Sequence, residues 1–202
     1  MEQIPGNNIV RLVGTAAGRP TLSHESRGEA FYRLPLTVRR LSGAEDELPL
    51  LLRRGLLEKL ELQEADKLCV SGELRSFNNR SGEGAKLVIS VFARALRFCE
   101  DEDENSVLLC GALCRPPTLR RTPMGRDICD LMLAVNRPCG RSDYLPCICW
   151  GPQARAAAVW EAGAKVQLAG RFQSRPYIKM TADGPVEKVA YEVSAAEIER
   201  LA

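Results

Sequence analysis

Short apolar runs and alternating apolar and polar residues dominate the second half of the chain. Because alternation is the pattern of a half-buried strand, it predicts five strands there: Ser106–Cys114, Asp127–Arg137, Asp143–Trp150, Lys165–Arg175 and Glu187–Val193. One Ala-rich stretch, Gln153–Glu161, predicts a helix, since Pro152 precedes it and Gly163 follows it. The last two strands are expected to turn at Ala182-Asp183-Gly184-Pro185.

The first half repeats this pattern at a nearly constant spacing. Gly14 corresponds to Gly111, and Leu36-Thr37-Val38-Arg39-Arg40 to Leu133-Ala134-Val135-Asn136-Arg137, both 97 residues later, while Gly72 corresponds to Gly170 at a spacing of 98. In this half the helix is expected near Gly55–Glu64, and the last hairpin turns at Ser81-Gly82-Glu83-Gly84. The repeat predicts two copies of one domain of about 95 residues.

The order of elements in each copy is three strands, a helix and two strands. Five strands with one helix between the third and the fourth are typical of the OB barrel, although the pattern alone leaves other small β barrels open. We therefore expect an all-β protein with one short helix per domain, built as two tandem five-stranded OB-fold barrels.

Charge divides the chain in the same place. The run Glu100-Asp101-Glu102-Asp103-Glu104 predicts a solvated acidic linker between domains at residues 1–99 and 105–202. Residues 1–99 carry 15 Lys and Arg against 12 Asp and Glu, and residues 105–202 carry 13 against 9. Both domains are thus mildly basic, although the formal charge of the whole chain is only +2.

Several classes of protein do not fit the sequence. No apolar run reaches the ~18 residues of a membrane span, and the N-terminus lacks the pattern of a secretory signal. The 8 cysteines include no Cys-x-x-Cys pair, so we expect no metal, and reduced thiols in a cytoplasmic protein. The single histidine, His24, is expected on a polar turn and does not indicate a general base. The segment Ser81-Gly82-Glu83-Gly84 lacks the Gly-Lys-Ser/Thr end of a phosphate-binding loop. We therefore expect neither an enzyme nor a cofactor.

The few aromatic residues are placed unevenly. Tyr144, Trp150 and Tyr177 each border a predicted loop, close to Arg171 and Arg175, whereas Phe172 is expected in the core. Aromatic rings among cations are what single-stranded nucleic acid requires, since every base has a π-face and the cations neutralise phosphates. The other aromatic residues of the first copy lie mostly in apolar strands and are expected to be core: Phe31, Tyr32, Phe77 and Phe92.

The second copy resembles the bacterial single-stranded DNA-binding protein family over about 90 residues. The resemblance rests on Leu108-Leu109-Cys110-Gly111, Thr122-Pro123-x-Gly125, Leu133–Arg137, Tyr144 followed six residues later by Trp150-Gly151, and Gly170-Arg171-x-x-Ser174-Arg175-x-Tyr177. It implies that Tyr144, Trp150 and Tyr177 stack on bases. In the first copy the matching positions are Glu47, Arg53 and Asn79, and the acidic C-terminal tail that recruits partners in that family is missing, so recruitment by a tail is not expected.

These observations predict sequence-independent binding of single-stranded DNA in replication, recombination or repair. Stacking and charge would serve single-stranded RNA as well. Phosphate contacts are expected from Arg137, Arg171, Arg175 and Lys179 in the second copy and from Arg39, Arg40, Arg75, Arg80 and Lys86 in the first. The resemblance implies a homodimer that brings four OB folds together on the DNA. The alternative is an assembly module of a replication or recombination complex in which DNA binding is weak or lost.

Overall fold

The computed structural model describes residues 6–58, 60–79, 85–181 and 184–201. The first half contains β1 (Asn8–Ala16), β2 (Thr21–Ser26), β3 (Glu29–Arg39), β4 (Glu45–Arg53), α1 (Arg54–Leu57), β5 (Lys67–Asn78) and β6 (Leu87–Phe98). The second half contains β7 (Glu104–Leu113), β8 (Thr118–Arg121), β9 (Asp127–Asn136), β10 (Ser142–Trp150), α2 (Gly151–Ala157), β11 (Lys165–Thr181) and β12 (Gly184–Arg200). The two halves therefore have the same order of elements.

The twelve strands of the described residues form one continuous sheet, in the order β2-β3-β4-β6-β5-β1-β7-β11-β12-β10-β9-β8. Additional pairings between β1 and β3 and between β7 and β9 close each half on itself. Closure brings backbones close together: a Cβ on Gly14 would overlap the carbonyl oxygen of Thr37, and one on Gly111 that of Ala134. Each half is thus a small closed barrel with the predicted OB order, and the two barrels are joined through β1 and β7.

The core follows from the alternation that predicted the strands. Every second residue is buried in β4 and in the second half of β3, and so are the matching residues of β9 and β10, among them Leu133, Leu145 and Cys147. Phe172 is completely buried, as predicted. The next residue, Gln173, is also buried, and its amide nitrogen donates to the Glu192 carboxylate at 3.0 Å.

Three details differ from the sequence prediction. Each half has a sixth strand, β2 or β8. The sequence pattern did not predict it because these short strands are exposed and show no alternation of apolar and polar residues. The hairpin formed by β11 and β12 extends well beyond the two predicted strands. Both helices are shorter than predicted, since the chain tightens into three-residue turns: the amide of Leu60 donates to Leu57 O, and that of Trp160 to Ala157 O, each at 3.0 Å.

The predicted turn at 81–84 lies outside the described residues, as do Ala182 and Asp183 of the second turn. Part of the predicted acidic linker is ordered against the first barrel. Glu104 is already in β7, and the Asp103 carboxylate accepts from the Lys67 ammonium and, at 2.5 Å, from the Arg39 amide. These two acids are therefore not freely solvated, and the domain boundaries at 99 and 105 stay a prediction.

The two barrels are related by a local two-fold axis. Strands β1 and β7 run antiparallel, and Val10 pairs with Val107, the residue that matches it in the repeat. The Asn8 side chain bonds both backbone groups of Leu74, at 2.8 and 2.9 Å. Asn105, 97 residues later, bonds Phe172 in the same way. The sequence repeat has thus become a structural symmetry.

Candidate nucleic-acid interface

Tyr144 and Trp150 lie on one face of β10, six residues apart, which separates them by about 20 Å. The Tyr144 side chain is 48% exposed. Trp150 is half-buried at the end of the strand, where its indole nitrogen donates to Ser194 Oγ at 3.3 Å. The Arg126 guanidinium lies 5.1 Å from the centre of the indole ring, a cation–π contact that leaves a positive charge beside the aromatic face.

The groove at Trp150 lies between the two barrels and encloses about 1020 Å³. Its cations come from both: Arg39 from the first barrel, and Arg126 and Arg171 from the second. Carboxylates also line it, among them Asp103 and Glu197. A strand lying in this groove would therefore contact both halves of the chain.

Tyr177 lines a different cavity, of about 460 Å³, together with residues of the first barrel that include His24 and Phe77. It is 38% exposed, in the part of β11 that projects toward the hairpin end. Lys179 on the same strand is exposed, and Arg175 is paired with Glu192 at 3.4 Å. The three predicted stacking residues are thus spread over the surface and do not share one pocket.

Three of the predicted phosphate contacts, Arg40, Arg75 and Arg137, occupy the junction between the barrels. Arg40 donates to both oxygens of the Asp46 carboxylate, at 2.6 and 2.7 Å, and to Ser174 O of the other barrel at 3.3 Å. The fully buried Asp46 also accepts from the Ser174 amide at 2.8 Å. These hydrogen bonds give Arg40 a structural role at the junction, and they occupy the guanidinium nitrogens that a phosphate would need.

The symmetric junction uses Arg137. Its guanidinium donates to both oxygens of the Asp143 carboxylate, which also accepts from the amide of Ser76 in the first barrel at 2.6 Å. Arg75 donates to Asp143 as well, at 2.9 Å, and to Glu73. Burial raises the pKa of Asp143, but these hydrogen bonds outweigh it and hold that pKa below its usual value. Arg75 and Arg137 are therefore also structural.

The remaining predicted cations of the first barrel are differently placed. Arg39 is mostly exposed and paired with Glu45 at 3.1 Å, and Lys86 is exposed at the start of the segment that leads into β6. Arg80 lies outside the described residues. Arg39 and Lys86 stay predicted phosphate contacts.

An aromatic cluster on the first barrel was missed by sequence reasoning. Phe31, Phe77 and Phe92 were expected in the core, but they belong neither to the buried core nor to the half-buried residues that pack on it. His24 lies in β2, not on a turn, and stacks on Phe31 with ring centres 4.9 Å apart. The alternation in β6 could have found Phe92, because buried Val91 and Ala93 flank it and direct its side chain outward.

The cysteines carry no sign of a metal site in the described part of the chain, where no group of three or more ligating side chains converges. Cys129, Cys147 and Cys149 are buried, whereas Cys114 and Cys139 are exposed. Burial raises the pKa of the Cys149 thiol to about 12 and also raises the pKa of the Cys147 thiol above its usual value. No helix of the described residues is long and apolar enough to cross a membrane.

Comparison with known sequences points to one family. Residues 104–201 match the profile of the Single-strand binding protein family. The chain is 38% identical over 80 residues to a single-stranded DNA-binding protein of Halalkalibacterium halodurans, across 36% of this chain and 48% of that protein. It is 35% identical over 80 residues to single-stranded DNA-binding protein B of Bacillus subtilis, across 36% of this chain and 71% of that protein. The chain spans about half the length of the first of these relatives.

The whole architecture has a counterpart among solved structures. Wild-type single-stranded DNA binding protein from Thermus aquaticus superposes with a TM-score of 0.81 at 25% identity, over 98% of this chain and 95% of that one. A deletion mutant of the same protein gives 0.77 at 27% identity. The likeness therefore includes the first barrel and the way the two barrels are joined. By sequence and by fold, this chain belongs to the single-strand binding protein family.

Proposed function

We propose that the chain binds single-stranded DNA without sequence preference, in replication, recombination or repair. The observation that carries the proposal is Trp150, a ring outside the core that opens on a groove lined by cations of both barrels. Tyr144 and Tyr177, both exposed, extend the stacking surface beyond this groove. Base stacking contributes about 1–3 kcal/mol per base and needs no particular sequence.

Phosphate contacts in this proposal come from cations whose side chains are exposed. They are Arg126 and Arg171 beside Trp150, Lys179 beside Tyr177, and Arg39 and Lys86 on the first barrel. Arg175 belongs to this set because its contact with Glu192 leaves half of its side chain exposed. Arg40, Arg75 and Arg137 serve instead to join the barrels.

We further propose that two chains form a homodimer with four barrels around the DNA, and that the protein acts in the cytoplasm, on the nucleoid when bound. The local two-fold axis supports the assembly. The two barrels of one chain are joined in the way that two identical subunits of a dimer would be, so two chains would supply four barrels. Sedimentation of the chain with and without oligo(dT) tests it. A mass of two chains is expected, and a mass of one chain would refute the dimer.

Titration with oligo(dT) of several lengths tests the stacking proposal. We expect the emission of Trp150 to be quenched, and Trp150→Leu to weaken binding by about fivefold or more, because a stacking platform is lost. Trp160→Phe is the matched control, since Trp160 packs against the core. Equal affinities of Trp150→Leu and the wild type would contradict stacking at this site.

A salt series tests the electrostatic part. Log affinity is expected to fall with log salt by about 0.7 for each neutralised phosphate of a single strand. A flat response would indicate an assembly module that does not bind nucleic acid. The same titration with oligo(U) compares DNA with RNA.

A further inference from the structure

The groove around Trp150 has a symmetric counterpart on the first barrel. That second groove encloses about 780 Å³ and contains Arg53, Phe92 and Arg137. Arg137 matches Arg40, which lines the groove of Trp150, and Arg53 matches Trp150 itself, in both cases 97 residues apart. The chain thus presents two equivalent grooves, each formed by the end of one barrel and a turn of the other.

The strand pairing shows which residue of the first groove replaces the tryptophan. In the first barrel Leu51 of β4 pairs with Phe92 of β6, and in the second barrel Ile148 of β10 pairs with Ser194 of β12. Leu51 and Ile148 match in the repeat, so Phe92 and Ser194 occupy the same position. Trp150 touches Ser194, and Arg53 lies over Phe92, so the paired positions are adjacent in both barrels. The second barrel thus has its aromatic residue on β10, whereas the first barrel has it on β6, the strand next to β4.

The surroundings of Phe92 are rich in cations. The guanidinium carbons of Arg94, Arg53 and Arg75 lie 4.8, 5.3 and 6.0 Å from its ring centre. Glu73 pairs with Arg75 and Arg94, and Glu29 with Arg53 at 3.6 Å, which leaves the site positive but partly neutralised. A positive aromatic site in an open groove suits a planar, electron-rich ring that carries a phosphate.

A second ring continues the surface. Phe31 lies 6.4 Å from Phe92, centre to centre, and His24 stacks on Phe31 with an angle of 8° between the planes. His24 and Phe77 also line the cavity that contains Tyr177. The aromatic residues of the first barrel therefore run from the first groove toward a predicted stacking residue of the second barrel.

We propose that Phe92, supported by Phe31 and His24, is a base-stacking site of the first barrel. The sequence repeat hides it because it stands on a different strand from Trp150. This inference rests on the proposed function and deepens it: the first barrel contacts bases as well as phosphates, and a bound single strand crosses both grooves.

The test uses the full chain and long oligo(dT). Phe92→Leu keeps an apolar side chain but removes the ring, and we expect affinity to fall about fivefold or more. Phe98→Leu is the matched control, because Phe98 lies on the same strand, is 45% exposed and is remote from the groove. Both tryptophans of the sequence lie in the second barrel, so the quenching at saturation should stay as in the wild type.

A gain-of-signal variant keeps the test independent of affinity. Phe92→Trp puts a fluorescent ring at the proposed site, and oligo(dT) should quench its added emission, whereas the added emission of Phe98→Trp should persist. The proposal is overturned if Phe92→Leu binds like Phe98→Leu, or if the new tryptophan is not quenched although the wild type binds. If the wild type itself does not bind, the proposed function fails first.

Discussion

Burial decides the chemistry of individual side chains, as the cysteines illustrate. Cys147 and Cys149 lie on β10, two residues apart, in the interior of the second barrel, and Cys139 lies on an exposed turn. Nothing in the sequence distinguishes these three cysteines. Only the thiolate reacts with disulfide reagents, so the position in the barrel determines which cysteines are accessible to chemistry.

We expect a disulfide reagent at pH 8 to label Cys139 rapidly in the native chain. Cys114 should react more slowly, because partial burial raises the pKa of its thiol, although Arg115 offsets some of that effect. Cys147 and Cys149 should react only after unfolding, since burial raises both of their pKa values. Mass spectrometry of labelled peptides measures each site, and Cys139→Ser should remove the fast phase. Rapid native labelling of Cys149 would contradict this account.

At the scale of elements, closure of each barrel depends on positions where no side chain fits. Gly111 lies where β7 meets β9 to close the barrel, and Gly170 lies at a β-bulge where β11 pairs with β12. A Cβ on either would overlap a carbonyl oxygen of the neighbouring strand. The same positions in the first barrel are Gly14 and Gly72. The glycines that revealed the repeat in the sequence are therefore required where neighbouring strands approach too closely for a side chain, at the closure of each barrel and at the bulge of its last hairpin.

Gly111→Ala is expected to lower the free energy of unfolding by about 1–3 kcal/mol, because the new methyl group must displace backbone in a packed barrel. Urea unfolding measures the change. Gly55→Ala is the control: nothing lies within 4 Å of the added Cβ, and alanine favours helix α1, so its stability should be unchanged or slightly higher. A Gly111→Ala chain as stable as the Gly55→Ala chain would show that β7 and β9 can move apart with no decrease in the free energy of unfolding.

At the scale of the whole molecule, two buried carboxylates hold the barrels together. Asp46 and Asp143 each accept from an arginine of their own barrel and from a serine amide of the other barrel. Partial burial of such a pair makes removal of one partner costly, because the other charge is left without compensation.

Asp143→Asn is expected to destabilise the chain by about 3 kcal/mol at pH 7. Since hydrogen bonds hold the folded pKa of Asp143 below its usual value, its carboxylate stabilises the fold above about pH 4, the pKa of an unfolded aspartate. That contribution is lost as the pH falls through the folded pKa, so wild type and variant should converge in acid.

Thermal or urea unfolding between pH 3 and pH 7 measures this convergence. Asp101→Asn is the control, because its pairing with Arg97 is exposed and should contribute at most about 0.5 kcal/mol. A constant difference between wild type and Asp143→Asn across this range would refute the role of the carboxylate charge.

The arginines show which features of the site a sequence pattern does not predict. Arg40 and Arg137 are predicted phosphate contacts because they are basic, but their carboxylate partners six residues later fold back onto them. Phe92 was assigned to the core because its strand is apolar. In both cases the deciding neighbour is brought in by strand pairing, which a linear pattern does not record.

The sequence by itself determined most of the strands, the repeat and the all-β class, because alternation, turn residues and spacing are local properties. Tertiary structure alone decided that the two copies share a two-fold axis, which arginines join the barrels, and where the first barrel carries its exposed rings. These depend on which strands become neighbours, and barrel closure sets that through contacts between residues far apart in the chain.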